Sequence, residues 1–335
     1  MEKVLVTGGG GFIGKALVRE LVRRGVGVAV VGRNHYPELA ALGVQCCQGD
    51  IRDLAFLERA LAGRDTVFHV AAKAGIWGPK EAYYSINVTG TANVIAACRK
   101  KGVHHLVYTS TPSVVFDRNS LEGVDETTPY AIKPLCHYAA SKIQAEKDVL
   151  QAQSSSLHTI AIRPHLVWGP GDQHLVPRLL ERGKNGTLKI IGSGANRVDI
   201  TYIDNVVHAH ILAAENLRTS GSGAGQAFFI GQDEPVNLWQ WINGLFARMG
   251  IPTVSRKVPF IGAYCAGLGL EVIHALLRAP GEPKMTRFVA NQLAKSHWFS
   301  HEKAKGILGY RQLVSTEHGM EMLIDWLKGG QAGMN

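Results

Sequence analysis

Cysteine is scarce and patternless in this chain. Cys46, Cys47, Cys98, Cys136 and Cys265 form an odd set with no C-x-x-C spacing, which suggests neither a disulfide framework nor a zinc site and suits a reducing compartment. No G-x-S-x-G elbow occurs, so Ser/His/Asp hydrolysis has no nucleophile to start from. The 14 histidines are scattered, His104 and His105 reading as the start of a strand, and no metal is expected. Basic residues form no stripe with interleaved aromatics, which argues against nucleic acid. The chain opens without the basic and apolar tracts of a secretory signal, so a cytoplasmic location is expected.

What is present is apolar content and a positive excess. Hydrophobic residues fill 46% of the 335 positions, enough for the core of one large α/β unit or two modest domains. Lys plus Arg number 36 against 27 Asp plus Glu, and the resulting +9 favours anionic ligands or a lipid surface. Residues 3–7 read as a fully buried strand, 8–11 as a turn, and 12–24 as a helix with Ile13, Leu17, Val18, Leu21 and Val22 at helical spacing. Further strands are expected at 26–31, 44–48, 66–70, 106–109 and 159–163, with helices between them that include 82–100 and 137–153. This alternation predicts an α/β fold, a Rossmann-type doubly wound parallel sheet. Residues 1–165 form the expected nucleotide-binding domain, with segments near 203–235 returning to it. Residues 166–330 form a smaller, mainly helical C-terminal substrate lobe.

Segment 259–277 stands apart, because it is apolar and rich in Gly and Ala yet carries Glu271 and His274. Arg256, Lys257 and Arg278 flank it. About 19 helical residues span roughly 28 Å, barely a bilayer core, where a carboxylate is costly. A buried helix of the second lobe is expected, with an interfacial membrane helix as the alternative.

Gly8, Gly11 and Gly14 recur as G-x-x-G-x-x-G where the first strand hands over to the helix. Gly8 and Gly11 let backbone N–H groups, together with those of Phe12 and Ile13, approach a pyrophosphate, while Gly14 lets helix and strand pack closely. The second strand ends Val31-Gly32-Arg33, so the acidic residue that an NAD enzyme places on the ribose is replaced by glycine. Arg33 can pair with a 2′-phosphate, which favours NADP(H) with NAD(H) as the alternative. Asp50 and Ile51 follow the third strand, toward the adenine; Ala71, Ala72 and Lys73 follow the fourth, toward the nicotinamide ribose.

Tyr138 and Lys142 stand at i and i+4 of a predicted helix, on one face. An ammonium beside a phenol favours the phenolate, so a lowered Tyr138 pKa and a proton-donor role are expected.

The order and spacing of Thr7 to Gly14, Asp50, Asn87, Tyr108-Thr109-Ser110-Thr111, Tyr138-x-x-x-Lys142 and Arg163-Pro164-x-x-Val167-Trp168-Gly169-Pro170-Gly171-Asp172 resemble the extended short-chain dehydrogenase/reductase superfamily. Residues 71–78, 108–113, 281–288 and 297–299 resemble its 3β-hydroxysteroid dehydrogenase branch, and there the bacterial 2-alkyl-3-oxoalkanoate reductases of olefin biosynthesis. The resemblance implies a catalytic set of Tyr138, Lys142 and Thr111, with Ser110 an alternative hydroxyl, and adds Pro164 to the cofactor site. Asn87 is implied as a brace of the active-site helix. The implied reaction is reduction of a 3-oxo acid, with sterol dehydrogenation, nucleotide-sugar epimerisation and a silent nucleotide-binding scaffold as alternatives. His165, Trp168 and Arg197 are candidate contacts for a lipid-like substrate, and helices 82–100 and 137–153 for a homodimer.

Overall fold

Val4, Leu5 and Val6 are buried in succession, as are Ala29, Val30 and Val31, and Val67 and Phe68. A strand that buries consecutive residues must be covered on both faces. The structure, a computed structural model, describes residues 1–277, 279 and 281–332. Its central sheet contains β1 (Lys3–Thr7), β2 (Gly27–Gly32), β3 (Gln45–Gln48), β4 (Thr66–His69), β5 (His105–Thr109), β6 (His158–Pro164) and β7 (Gln226–Ile230). All seven are parallel, in the spatial order β7-β6-β5-β4-β1-β2-β3. The strand order reverses between β1 and β4, which opens a crevice at their carboxyl ends.

The helices of the first half are α1 (Phe12–Arg23), α2 (Pro37–Ala40), α3 (Leu54–Ala60), α4 (Lys80–Tyr84), α5 (Gly90–Lys101) and α6 (His137–Gln151). They are followed by α7 (Leu175–Lys184), α8 (Ile203–Arg218), α9 (Leu238–Arg248), α10 (Phe260–Leu277) and α11 (Arg287–Ala294). On one face of the sheet Leu17 and Leu21 of α1 and Val207, Ile211 and Ala214 of α8 pack with Val30, Phe68 and Ile160. On the other, Leu57 of α3, Val94 of α5 and Ala145 and Val149 of α6 pack with Leu5, Val67 and Leu106. The stretch 82–100 is not one helix: a π-helical turn, Ser85–Thr89, separates α4 from α5 and carries the buried Asn87. Such turns recur at functional sites.

A separate core joins Leu179, Leu180, Trp239, Trp241 and Phe246 around the fully buried Trp168. Short strands accompany it: Val236–Asn237, Arg197–Val198, His297–Phe299 and Leu121–Val124 form a four-stranded sheet, so 121–124 leaves the first half of the chain to join this lobe.

The 259–277 expectation needs correction. The segment is helical, but most of it is not buried: Ala263, Gly267 and Glu271 form a buried stripe at i, i+4 and i+8, and Phe260 and Tyr264 pack beside it on the second core. A Cβ on Gly267 would lie 2.7 Å from the Thr286 backbone, so α10 meets the start of α11 through a glycine. Glu271 accepts from the backbone N–H and Nε of Arg287, both at 2.7 Å. Phe260, Tyr264, Leu270 and His274 are half-buried, whereas Ile261, Val272, Ile273, Leu276 and Leu277 are exposed.

Candidate active site

β1 ends at Thr7 and α1 begins at Phe12, with no acidic residue in the first turn and no side-chain cap from Gly11. The opening N–H groups of α1 therefore lack side-chain partners, a ready site for anionic oxygens. Gly8 has φ +70°, and a Cβ there would lie 2.8 Å from the Ala71 backbone; a Cβ on Gly14 would collide with the Gly8 carbonyl. Glycine at position 8 lets the loops after β1 and β4 close on one another, and glycine at position 14 lets α1 pack against the loop after β1.

A cavity of 740 Å³ opens along these loops. Gly8, Gly11, Phe12, Ile13, Gly14, Arg33, Asp50, Ile51, Ala71, Ala72, Lys73, Thr111, Tyr138, Lys142 and Pro164 all line it, so the structure brings the anticipated catalytic and cofactor-binding residues to one place. Uncapped helix N–H groups beside glycines that leave no room for side chains fit a dinucleotide.

Arg33 is exposed on the rim, its backbone carbonyl held by Gln48 Nε2 at 3.0 Å. A side chain at Gly32 would strike the Tyr36 hydroxyl, and one at Gly10 would strike the Tyr36 ring, so Tyr36 forms the wall where an acidic residue would otherwise stand. Asp50 is already engaged: Arg52 donates to it from Nε at 3.0 Å and from a terminal nitrogen at 2.7 Å, which holds the carboxyl below its usual range.

At the other end of the cavity the first turns of α6 bring Tyr138 and Lys142 to the wall. Lys142 is buried, its Nζ donating to the Thr109 carbonyl at 2.6 Å and lying 4.1 Å from the centre of the Tyr108 ring. Burial lowers its pKa to about 7, against an opposing pull from Glu146. Burial also pushes the Tyr138 phenol up to about 12, with the Thr111 hydroxyl pulling it the other way. The expectation of a depressed phenol is thus overturned. The ammonium is turned toward Thr109 and Tyr108, and desolvation outweighs it. The Thr111 hydroxyl, buried at the N-cap of the 3-10 turn Pro112–Val114, donates to Ser113 Oγ and accepts from Ser113 N, both at 3.2 Å. Ser110 also lines the cavity, and its buried hydroxyl has no hydrogen-bond partner among the described residues.

A sequence model of the 3-beta hydroxysteroid dehydrogenase/isomerase family matches residues 5–260. The chain belongs to that family. It is 49% identical over 323 residues to the 2-alkyl-3-oxoalkanoate reductase of Stenotrophomonas maltophilia (strain K279a), covering 96% of this chain and 98% of that one. It is 36% identical over 330 residues to the decarboxylating sterol-4-alpha-carboxylate 3-dehydrogenase of Mus musculus, covering 96% and 90%. Among solved structures, MoeE5 in complex with UDP-glucose and NAD superimposes with a TM-score of 0.76 at 25% identity, covering 98% and 99%. The protein is an NAD(P)-dependent oxidoreductase of CH–OH and C=O groups.

Within this family member, Asn87 ties the site together. It accepts from Lys73 N at 2.7 Å and donates to the Lys73 carbonyl at 3.1 Å and to Ser141 Oγ at 2.9 Å, joining the loop after β4 to α6. Behind Lys142, one turn along α6, the buried Glu146 receives Arg163 at 3.0 and 2.5 Å and the Tyr130 hydroxyl at 2.8 Å. Tyr36, Glu146 and Tyr130 carry no sequence motif and were not anticipated. Of the anticipated substrate contacts, His165 lines the cavity and bonds His297 at 2.6 Å. Trp168 packs instead between Tyr202 and Trp241, and Arg197 points to the surface beside Glu234.

Proposed function

We propose that the protein uses NADPH to reduce the 3-oxo group of a long-chain 2-alkyl-3-oxoalkanoic acid to the 3-hydroxy acid. The observation that carries the proposal is the shared wall: one cavity is lined by the glycine loop, by Tyr138, Thr111 and Lys142, and by the apolar Leu166, Leu175, Leu179, Leu188, Val289 and Leu293. A nicotinamide cofactor on the glycine loop supplies the hydride. The Thr111 and Tyr138 hydroxyls orient the substrate oxygen, and Tyr138 gives up its proton as negative charge builds there. A phenol raised to about 12 stays protonated at neutral pH, which is the form a donor needs, and an alkoxide is basic enough to take the proton. Arg33 on the rim, with glycine in place of the acidic residue, supports NADPH over NADH.

The names of the two curated relatives share one chemistry, an oxygen-bearing carbon 3 beside a carbon that carries a carboxylate. The identity of 49% against 36% favours the open-chain acid over the sterol. The test follows cofactor oxidation or reduction with 2-alkyl-3-oxo acids, a sterol-4-carboxylate and nucleotide sugars. Turnover of the oxo acids above the other two classes is expected; preferred turnover of either other class refutes the proposal.

A further inference from the structure

A second cavity, of 990 Å³, lies between the start of α6 and the side of α10. Four residues, Lys73, Ile76, Glu282 and Phe288, belong to its wall and to the wall of the main cavity as well. The first turn of α6 stands between the two spaces: Tyr138 faces the main cavity, while His137 and Ala140 face the second. The two cavities therefore share part of one wall, and the first turn of α6 lines both.

Much of the second wall is apolar, built from Trp77, Tyr83, Leu135, Ala140, Ala275 and Phe288. Several of its polar groups are committed elsewhere. Glu271 is held by Arg287 at 2.7 Å, Glu282 by Arg178 at 2.9 Å, and His274 Nδ1 donates to the Leu270 carbonyl at 3.0 Å. Lys73 pairs with no carboxylate among the described residues; its Nζ lies 5.2 Å from the centre of the Tyr83 ring.

We propose that this second cavity receives one of the two alkyl chains of the substrate. The inference rests on the proposed function and deepens it. A 2-alkyl-3-oxo acid carries its branch and its carboxylate on the carbon next to the ketone, so with the ketone at Tyr138 two chains must leave adjacent carbons in different directions. The apolar wall of the main cavity takes one. The other passes between Ile76 and Phe288 into the second chamber, and Lys73, common to both walls, meets the carboxylate at the fork. The chamber borders Ala275 of α10, whose neighbours Val272, Ile273 and Leu276 are exposed, so it is continuous with an apolar surface.

The test is Ala275→Trp, an exposed position that lines the second chamber and not the main cavity. Two substrate series are compared, one lengthening the C2 branch and one lengthening the chain on C3. The variant is expected to lose at least about tenfold in kcat/KM on the long members of one series and to match wild type on the shortest members of both. Equal losses at every length, or none, overturn the proposal. Fluorescence titration with cis-parinaric acid gives a readout free of turnover. Weakening of at least about tenfold in Ala275→Trp supports the chamber, and unchanged affinity rejects it. Weakened probe binding in a protein that turns over no oxo acid would reject the proposed function and keep the chamber. Oxo-acid turnover with length-independent behaviour would do the reverse.

Discussion

Lys142 is held inside the protein with its ammonium 2.6 Å from the Thr109 carbonyl, and burial brings its pKa from 10.5 to about 7. Between those two values the unfolded chain binds more protons at this site than the folded one. The Lys142 contribution to stability therefore rises with pH across that window and is least favourable below pH 7. Lys142→Met removes the buried charge, so the ligand-free variant is expected to melt a few degrees above wild type at about pH 6, with a smaller gain at about pH 9.5 and with turnover largely lost. Calorimetry at the two pH values checks this; a larger gain at the higher pH contradicts it. Arg33 is the second test at this scale. A bidentate charged contact to a phosphate is worth roughly 1.5–3 kcal/mol, so Arg33→Ala should cut the ratio of kcat/KM for NADPH to that for NADH by about 10- to 100-fold. An unchanged ratio removes the basis for preferring NADPH.

Elements show where local pattern suffices and where it does not. Gly8, Gly11 and Gly14, and Tyr138 with Lys142, were legible because each set lies within one turn or loop, where spacing alone sets geometry. Tyr36 and Glu146 were not, because their partners Gly10, Gly32 and Arg163 come from other elements and only the packed sheet brings them near. The length of α10 could be read from its composition, but its buried face could not. A helix apolar on nearly every side has no periodicity to mark one, and the buried stripe is a small residue, a glycine and a paired carboxylate. Residues 82–100 had a helical pattern that concealed the π turn around Asn87. Gly267→Val probes the stripe. Its Cβ would meet the Thr286 backbone at 2.7 Å and force α10 away from α11, at a cost of about 1–3 kcal/mol. Hydrogen exchange should speed up in α10 and α11 and stay unchanged in β1 and β4; uniform acceleration would mean the contact is not local.

Across the whole molecule, the net charge of +9 coincides with one helix of mean hydropathy 1.7 that leaves most of its surface to solvent. Arg256 and Lys257 precede it, whereas Arg278 lies outside the described residues. We propose that this face rests on an anionic lipid surface, which would bring the opening of the second chamber to the source of an apolar substrate. Co-sedimentation with vesicles containing phosphatidylserine is expected, weakening as salt is raised and lost in Ile261→Ser/Leu276→Ser. Equal recovery of wild type and the double variant with the vesicles would contradict that role.

The central claim is proton donation by Tyr138 to the substrate oxygen, and single-turnover reduction of a 2-alkyl-3-oxo acid by NADPH-loaded wild type and Tyr138→Phe tests it most directly. The phenylalanine variant is predicted to bind NADPH as wild type does and to reduce the ketone about 10²- to 10⁴-fold more slowly. Equal rates, with cofactor affinity intact, would place the proton donor elsewhere.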